Sequence, residues 1–153
     1  MSISIRKYIK TLGNKNDIES IEVNLVEGGK KKLVDLNAWE IMNISNDETM
    51  KLYTRAFKQL YPEESEEGYS AYQNGVAKFS VGKVGVMEIY EDLADINDEK
   101  PVAEWVGLKR LPKPKIFVSA TAHYSIPKSL SILGLGEQAV EKVIVDLDSR
   151  VDI

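Results

Sequence analysis

The sequence predicts an α/β protein, on three observations. The C-terminal third reads strand, helix, strand. Apolar residues ahead of it recur mostly at helical spacing. A chain of 153 residues that is 43% apolar is long enough for one core and short for two.

From the N-terminus, "ISIRKYIKTL" sets Ile5, Tyr8, Ile9 and Leu12 on one helical face, and Gly13 with Asn14 supplies a stop. "IESIEVNLVEGGKKKLVDLNAW" alternates at Ile21, Val23 and Leu25. Its Gly28 and Gly29 pair predicts a hairpin or a loose loop, with Lys30, Lys31 and Lys32 read as a solvated turn. Ser45 and Glu48 have the spacing of a capping box, and Met50, Tyr53, Phe57 and Leu60 form an apolar stripe. These signals predict a helix over about 47–60, ending before Pro62. "PEESEEG", 62–68, reads as an acidic surface loop. Gly75, Gly82 and Gly85 read as turn glycines, because their spacing matches neither phosphate-binding glycine pattern. A further helix places Val86, Ile89, Tyr90 and Leu93 on one face and Glu88, Glu91 and Asp92 on its wet side. A solvated face explains those carboxylates better than an acid–base site.

In the last third, "KIFVSA" is a strand bounded by Pro112 and Pro114. "SIPKSLSILGLG" is a helix with Ser125 as its cap, Pro127 in its first turn and Gly134 or Gly136 past its end. "EKVIVDL" is a second buried strand. Such a βαβ unit predicts parallel strands and a right-handed crossover, with ligands collecting where strand carboxyl ends meet helix starts. His123, the only histidine, falls at that junction. Two roles fit it: a helix-start ring hydrogen-bonded to backbone, or an imidazole stacked on a flat heterocyclic cofactor.

Composition narrows the chemistry. With no cysteine and one histidine, a disulfide framework, a thiolate zinc site, a cysteine nucleophile and a multi-histidine metal site are excluded. A net charge of -4 without a basic face argues against nucleic acid. No apolar run approaches the ~20 residues of a membrane span, and Arg6, Lys7 and Lys10 stand where a secretion signal would be apolar, so the expectation is a cytoplasmic protein without membrane contact.

The segment "PKPKIFVSATAHYSIPKSLSILGLG", followed by "VEKVIVDLDSRVDI", resembles the middle of the group II pyridoxal-phosphate-dependent amino-acid decarboxylases. In that family a strand ends in H-[YFS]-S-x-x-K-[AS], a helix closes on a glycine turn, and a strand leads into V-D-x-x-x-R-[MV]-D-[IV]. Here these are His123 to Ser129, then Leu133, Gly134, Leu135 and Gly136, then Val145 to Ile153. "LVDLNAWEIMNISNDETMKLY" is similar to the region that bacterial tyrosine decarboxylases insert ahead of the histidine. "AYQNGVAKFSVGKVGVMEIY" is similar in placement to the segment that leads from that insertion toward the histidine strand.

The resemblance implies part of a pyridoxal-phosphate-transferase-like large domain. Residues 1–110 would be a mostly helical inserted region with loops, and 111–153 the βαβ segment of the cofactor-binding domain. It implies pyridoxal 5'-phosphate as cofactor, an amino-acid substrate (tyrosine or another aromatic acid, with glutamate among the alternatives), and a homodimer for the complete enzyme. His123 would stack on the cofactor's pyridine ring, while Lys128 matches the family's second lysine position and is not assigned catalysis.

A decarboxylase also needs a lysine to attach the cofactor, an aspartate for the pyridine nitrogen and backbone to hold the phosphate. None is recognisable in 1–153, so the chain is expected to be an internal segment, inactive alone. The alternatives are a non-enzymatic binding or regulatory remnant of a decarboxylase and an unrelated acidic interaction domain.

Overall fold

The computed structural model describes residues 1–97, 114–146 and 150. It is 59% helical with two small sheets, a mixed arrangement compatible with the α/β class. The chain splits into two compact units, one built on Met1–Ser80 and one that begins at Val81.

The first unit opens with α1 (Ser2–Leu12), which buries Ile5 and Ile9 and ends at Gly13, φ 63°. A 3-10 segment, Lys15–Ser20, drops Ile18 into the core. The hairpin expected around the glycine pair is present: β1 (Glu22–Asn24) pairs antiparallel with β2 (Lys30–Lys32), and Gly28 and Gly29 turn the chain at φ 95° and 86°. The lysine run is therefore a strand and not a turn. Val23 of β1 is buried, and Lys31 lies 2.8 Å from Glu40.

Two helices come next. The first, α2 (Ala38–Met42), has no counterpart in the sequence-based expectation. It is a five-residue helix made possible by a reciprocal cap: the Glu40 N–H donates to Asn37 Oδ1 and the Asn37 N–H to Glu40 Oε2, both at 2.8 Å. Helix α3 (Asn46–Leu60) begins at Ser45, whose Oγ accepts from the Glu48 N–H at 3.2 Å. Its buried face is Leu52, Ala56, Phe57 and Leu60, so the expected stripe is rotated: Met50 is 59% exposed, while Leu52 is fully buried.

The Glu48 carboxylate does not return to the cap. It accepts from the Asn24 N–H at 3.1 Å, from Asn24 Nδ2 at 2.8 Å and from Arg55 Nη2, tying β1 to α3. Burial pushes this carboxyl up, but the hydrogen bonds from Arg55 and Asn24 outweigh it and hold the group below the ordinary glutamate range.

Helix α4 (Glu66–Ala77) corrects two expectations. The acidic stretch is a loop only as far as Ser65. That residue caps the helix by accepting from the Gly68 N–H at 3.1 Å, and Glu66 and Glu67 occupy the first turn, where negative charge suits the helix dipole. Gly75 is not in a turn but inside α4, where a Cβ would lie 2.4 Å from the Tyr8 ring; its missing side chain lets α4 approach α1. Beside it Tyr72 is fully buried among Tyr53, Phe57 and Tyr8, with ring centroids 4.7, 5.8 and 5.9 Å away.

The Tyr72 hydroxyl is buried without a hydrogen-bond partner among the described residues. A buried donor left unpaired costs about 1–3 kcal/mol. Tyr72→Phe should therefore be neutral or stabilising by about 1 kcal/mol in urea denaturation, and a loss beyond that would mean the hydroxyl is satisfied.

Glu48 generates a pH signature. Because its folded-state pKa is depressed, its stabilisation is complete above the unfolded value of about 4.3 and is lost as pH falls through the folded value. Urea midpoints should drop more steeply below about pH 4.5 for the native chain than for Glu48→Gln. That variant should be weaker at pH 7 by about 1–3 kcal/mol.

Candidate functional site

The second unit holds the histidine junction. Strand β3 (Ile116–Ser119) and strand β4 (Val140–Val143) pair in parallel, Ile116 with Val140 through Ser119 with Val143, and α7 (Ser125–Ile132) connects them. The strand–helix–strand order read from the sequence is present. The strands are only half-buried, however, rather than forming a buried pair: Phe117 is 72% exposed, and Ile144, just past β4, is 80% exposed. Parallel pairs are ordinarily covered on both faces. Among the described residues this sheet has two strands, and apolar side chains are also exposed at the end of α7, at Ile132 and at Leu133 just past it.

Among the described residues the unit also contains α5 (Val81–Val84) and α6, whose described range is Val86–Asn97. Of the face expected to be buried on α6, Leu93 is covered, together with Ala94, while Val86 and Tyr90 are exposed. Glu88, Glu91 and Asp92 are each half-buried, so that side of the helix is less wet than its spacing suggests.

Glycines join α5 and α6 to the βαβ unit. A Cβ on Gly82, within α5, would lie 2.5 Å from Ser131 Oγ. A Cβ on Gly85 would lie 2.5 Å from the Leu135 carbonyl oxygen, and one on Gly136 would lie 2.5 Å from the Gly85 nitrogen. Gly85 thus keeps the turn role expected of it, at φ 87°, whereas Gly82 serves close approach inside a helix. The Val86 N–H donates to the Gly134 carbonyl at 2.8 Å, and Lys83 pairs with Glu137.

At the carboxyl end of β3 the chain turns through residues 120–124 into α7. The Ser119 and Thr121 hydroxyls lie 2.7 Å apart, and the Thr121 N–H donates to Ser119 Oγ at 3.2 Å. His123 is exposed, and its ring centroid is 4.3 Å from that of Tyr124 at a tilt of 46°.

Ser125 is not the helix cap. It is the first helical residue, and Tyr124 in the capping position makes no side-chain bond. His123 supplies the acceptor instead: its Nδ1 takes the Ser125 N–H at 3.2 Å, and its carbonyl takes the Ile126 N–H at 3.2 Å. Histidine is outside the usual capping set of Ser, Thr, Asp and Asn, which is why the residue types alone point to the serine. Pro127 lies in the first turn as expected, and Lys128 is exposed one position on.

Of the V-D-x-x-x-R-[MV]-D-[IV] stretch, Val145, Asp146 and Arg150 are described, and 147–149 and 151–153 lie outside the described residues. The Arg150 N–H donates to Asp146 Oδ1 at 2.8 Å, and the Asp146 N–H to the Arg150 carbonyl at 2.9 Å.

Two cavities bear on function. A groove of about 610 Å³ in the first unit is lined by Glu22, Asn24, Lys30, Arg55, Lys58 and Gln59, a set the sequence did not suggest because it comes from three separate segments. Two of its cations have local partners: Arg55 binds Glu48 and the Glu22 carbonyl, and Lys58 pairs with Glu64 at 3.0 Å. A smaller cavity in the second unit, about 200 Å³, is lined by Gly85, Met87, Lys115, Gly134 and Leu135 among others; His123 lines neither. No group of three or more metal-ligating side chains is present among the described residues, and none of their helices is long and apolar enough to cross a membrane.

No protein-family model matches the chain, and no curated protein matches it.

The two turn glycines after α7 offer a test of the frame behind His123. Both have positive φ, 76° at Gly134 and 84° at Gly136, but only Gly136 faces backbone within 3 Å. Gly134→Ala should cost about 1–2 kcal/mol of backbone strain. Gly136→Ala should add overpacking of about 1–3 kcal/mol and lose amide-exchange protection at β3 and β4; equal protection in the two variants would contradict the interlocked turns.

Proposed function

We propose that this chain is a segment of a pyridoxal-phosphate-dependent L-amino-acid decarboxylase, with tyrosine or another aromatic amino acid as substrate, working in the cytoplasm as part of a homodimer. One observation carries the reading: His123 is exposed at the carboxyl end of a parallel strand, at the start of the helix that crosses to the next strand. That is where α/β folds gather ligands, and the motif running from His123 to Ser129 is the one that resembles the family.

Within this reading His123 would hold the cofactor by stacking, with its ring oriented from the helix start. The cofactor, when bound, supplies the electron sink that lets carbon dioxide leave. Ser119, Thr121 and Tyr124 stand nearest in the chain to the stacking position, with the two hydroxyls paired to each other. The described residues fit that half of a site, while phosphate-holding and lysine-attachment groups are not among those gathered at the junction. The isolated chain should therefore bind weakly and release no carbon dioxide from tyrosine.

A second reading, a non-enzymatic binding or regulatory remnant, is favoured by a different observation. Among the described residues the largest fully buried side chains, including Tyr72, Ile5, Ile9 and Leu52, all belong to the first unit, which carries a core of its own.

Titration with 4'-deoxypyridoxine 5'-phosphate, which lacks the aldehyde that reacts with surface lysines, tests the first reading. Saturable displacement of the His123 ring proton resonances is expected, with binding weakened at least about tenfold in His123→Ala, as for loss of one aromatic stacking contact of about 1.5 kcal/mol. An unperturbed ring at saturating analogue would remove His123 from any cofactor site in this chain.

A further inference from the structure

We infer that the Ser125 backbone amide is a positioning group for His123: by donating to Nδ1 it selects the imidazole tautomer protonated at Nε2 and leaves Nε2–H as the one ring donor. As a statement about a cofactor site this rests on the decarboxylase reading; as a statement about the ring it stands on the geometry alone.

The first N–H groups of a helix have no partner within it. In α7 the Ser125 N–H goes to His123 Nδ1 and the Ile126 N–H to the His123 carbonyl, while Pro127 has no N–H to satisfy. One residue therefore provides both acceptors that this helix start uses. Nδ1 can accept only when its lone pair is free, which in a neutral imidazole places the proton on Nε2.

The side chain is exposed, so burial does not hold the ring. Its orientation comes from this short local bond, two residues along the chain, and from the tilted contact with Tyr124. The arrangement copies the turn that asparagine and aspartate make with a backbone N–H two residues on. A ring tethered at Nδ1 presents Nε2–H outward to whatever docks at the end of β3.

The single histidine makes the test direct, since the uniformly ¹⁵N-labelled chain gives one imidazole spin system. Long-range ¹H–¹⁵N correlation at about pH 8.5, well above the ordinary histidine pKa of about 6.5, reads which nitrogen carries the proton. The Nδ1–H form should be depleted about threefold or more relative to the urea-unfolded chain, the size expected for one net hydrogen bond. A distribution equal to that of the unfolded chain, or one dominated by Nδ1–H, overturns the inference.

Two variants separate tethering from folding. His123→Asn keeps an acceptor for the Ser125 N–H and should leave its exchange rate near native, whereas His123→Ala should speed that exchange about fivefold. Equal rates in both variants would also overturn the inference. None of these readouts uses a cofactor, so failure of the analogue titration with a native tautomer signature would reject the decarboxylase reading alone.

Discussion

The Glu48 carboxylate is the constraint on which the first unit depends. A two-stranded hairpin of three residues per strand is marginal in water by itself. It persists here because Val23 is buried and because Glu48 accepts both donors of Asn24 while holding Arg55, which in turn donates to the Glu22 carbonyl. Strand and helix are thus fastened through one charged group at the base of α3. Removing that group would take from Asn24 and Arg55 the buried acceptor they share.

The second unit relies on absent side chains. Gly85 and Gly136 let the start of α6 and the turn after α7 approach until backbone meets backbone, and Gly82 lets α5 close on the Ser131 side chain of α7. This fixes the end of α7 and the entry to β4 without a large core: among the described residues of this unit Leu130, Ala139, Leu93 and Ala94 are its buried apolar side chains. The exposed Phe117 on β3, Ile132 at the end of α7 and Ile144 just past β4 are the counterpart of that economy, apolar surface on and beside a two-stranded parallel sheet. Such a surface agrees with the proposal that this segment belongs to a larger α/β domain, in which further strands and helices would cover it.

Much of the candidate site was legible. The punctuation around "KIFVSA" and "EKVIVDL", and the proline early in the intervening helix, located β3, α7 and β4 and put His123 at their junction. The capping atom was not legible, because a histidine Nδ1 acts here where the rules of composition point to the neighbouring serine. The groove beside Arg55 was equally hidden, since its lining comes from segments around residues 20, 30 and 55–59 that share no local pattern.

The sequence by itself determined the elements whose signals are local. These are α1 from its apolar spacing and terminal glycine, α3 from the Ser45 cap, the glycine-pair hairpin, and the strand–helix–strand order at the end. Periodicity and turn chemistry act over a few residues and survive whatever the rest of the chain does. Tertiary structure alone decided which glycines bend the chain and which admit a neighbour, as Gly75 admits Tyr8. It decided that the stripe on α3 centres on Leu52 and Ala56, and that an acidic run starts α4. Those outcomes depend on what lies across the gap, and a neighbour many residues away in the chain leaves no mark on the local pattern.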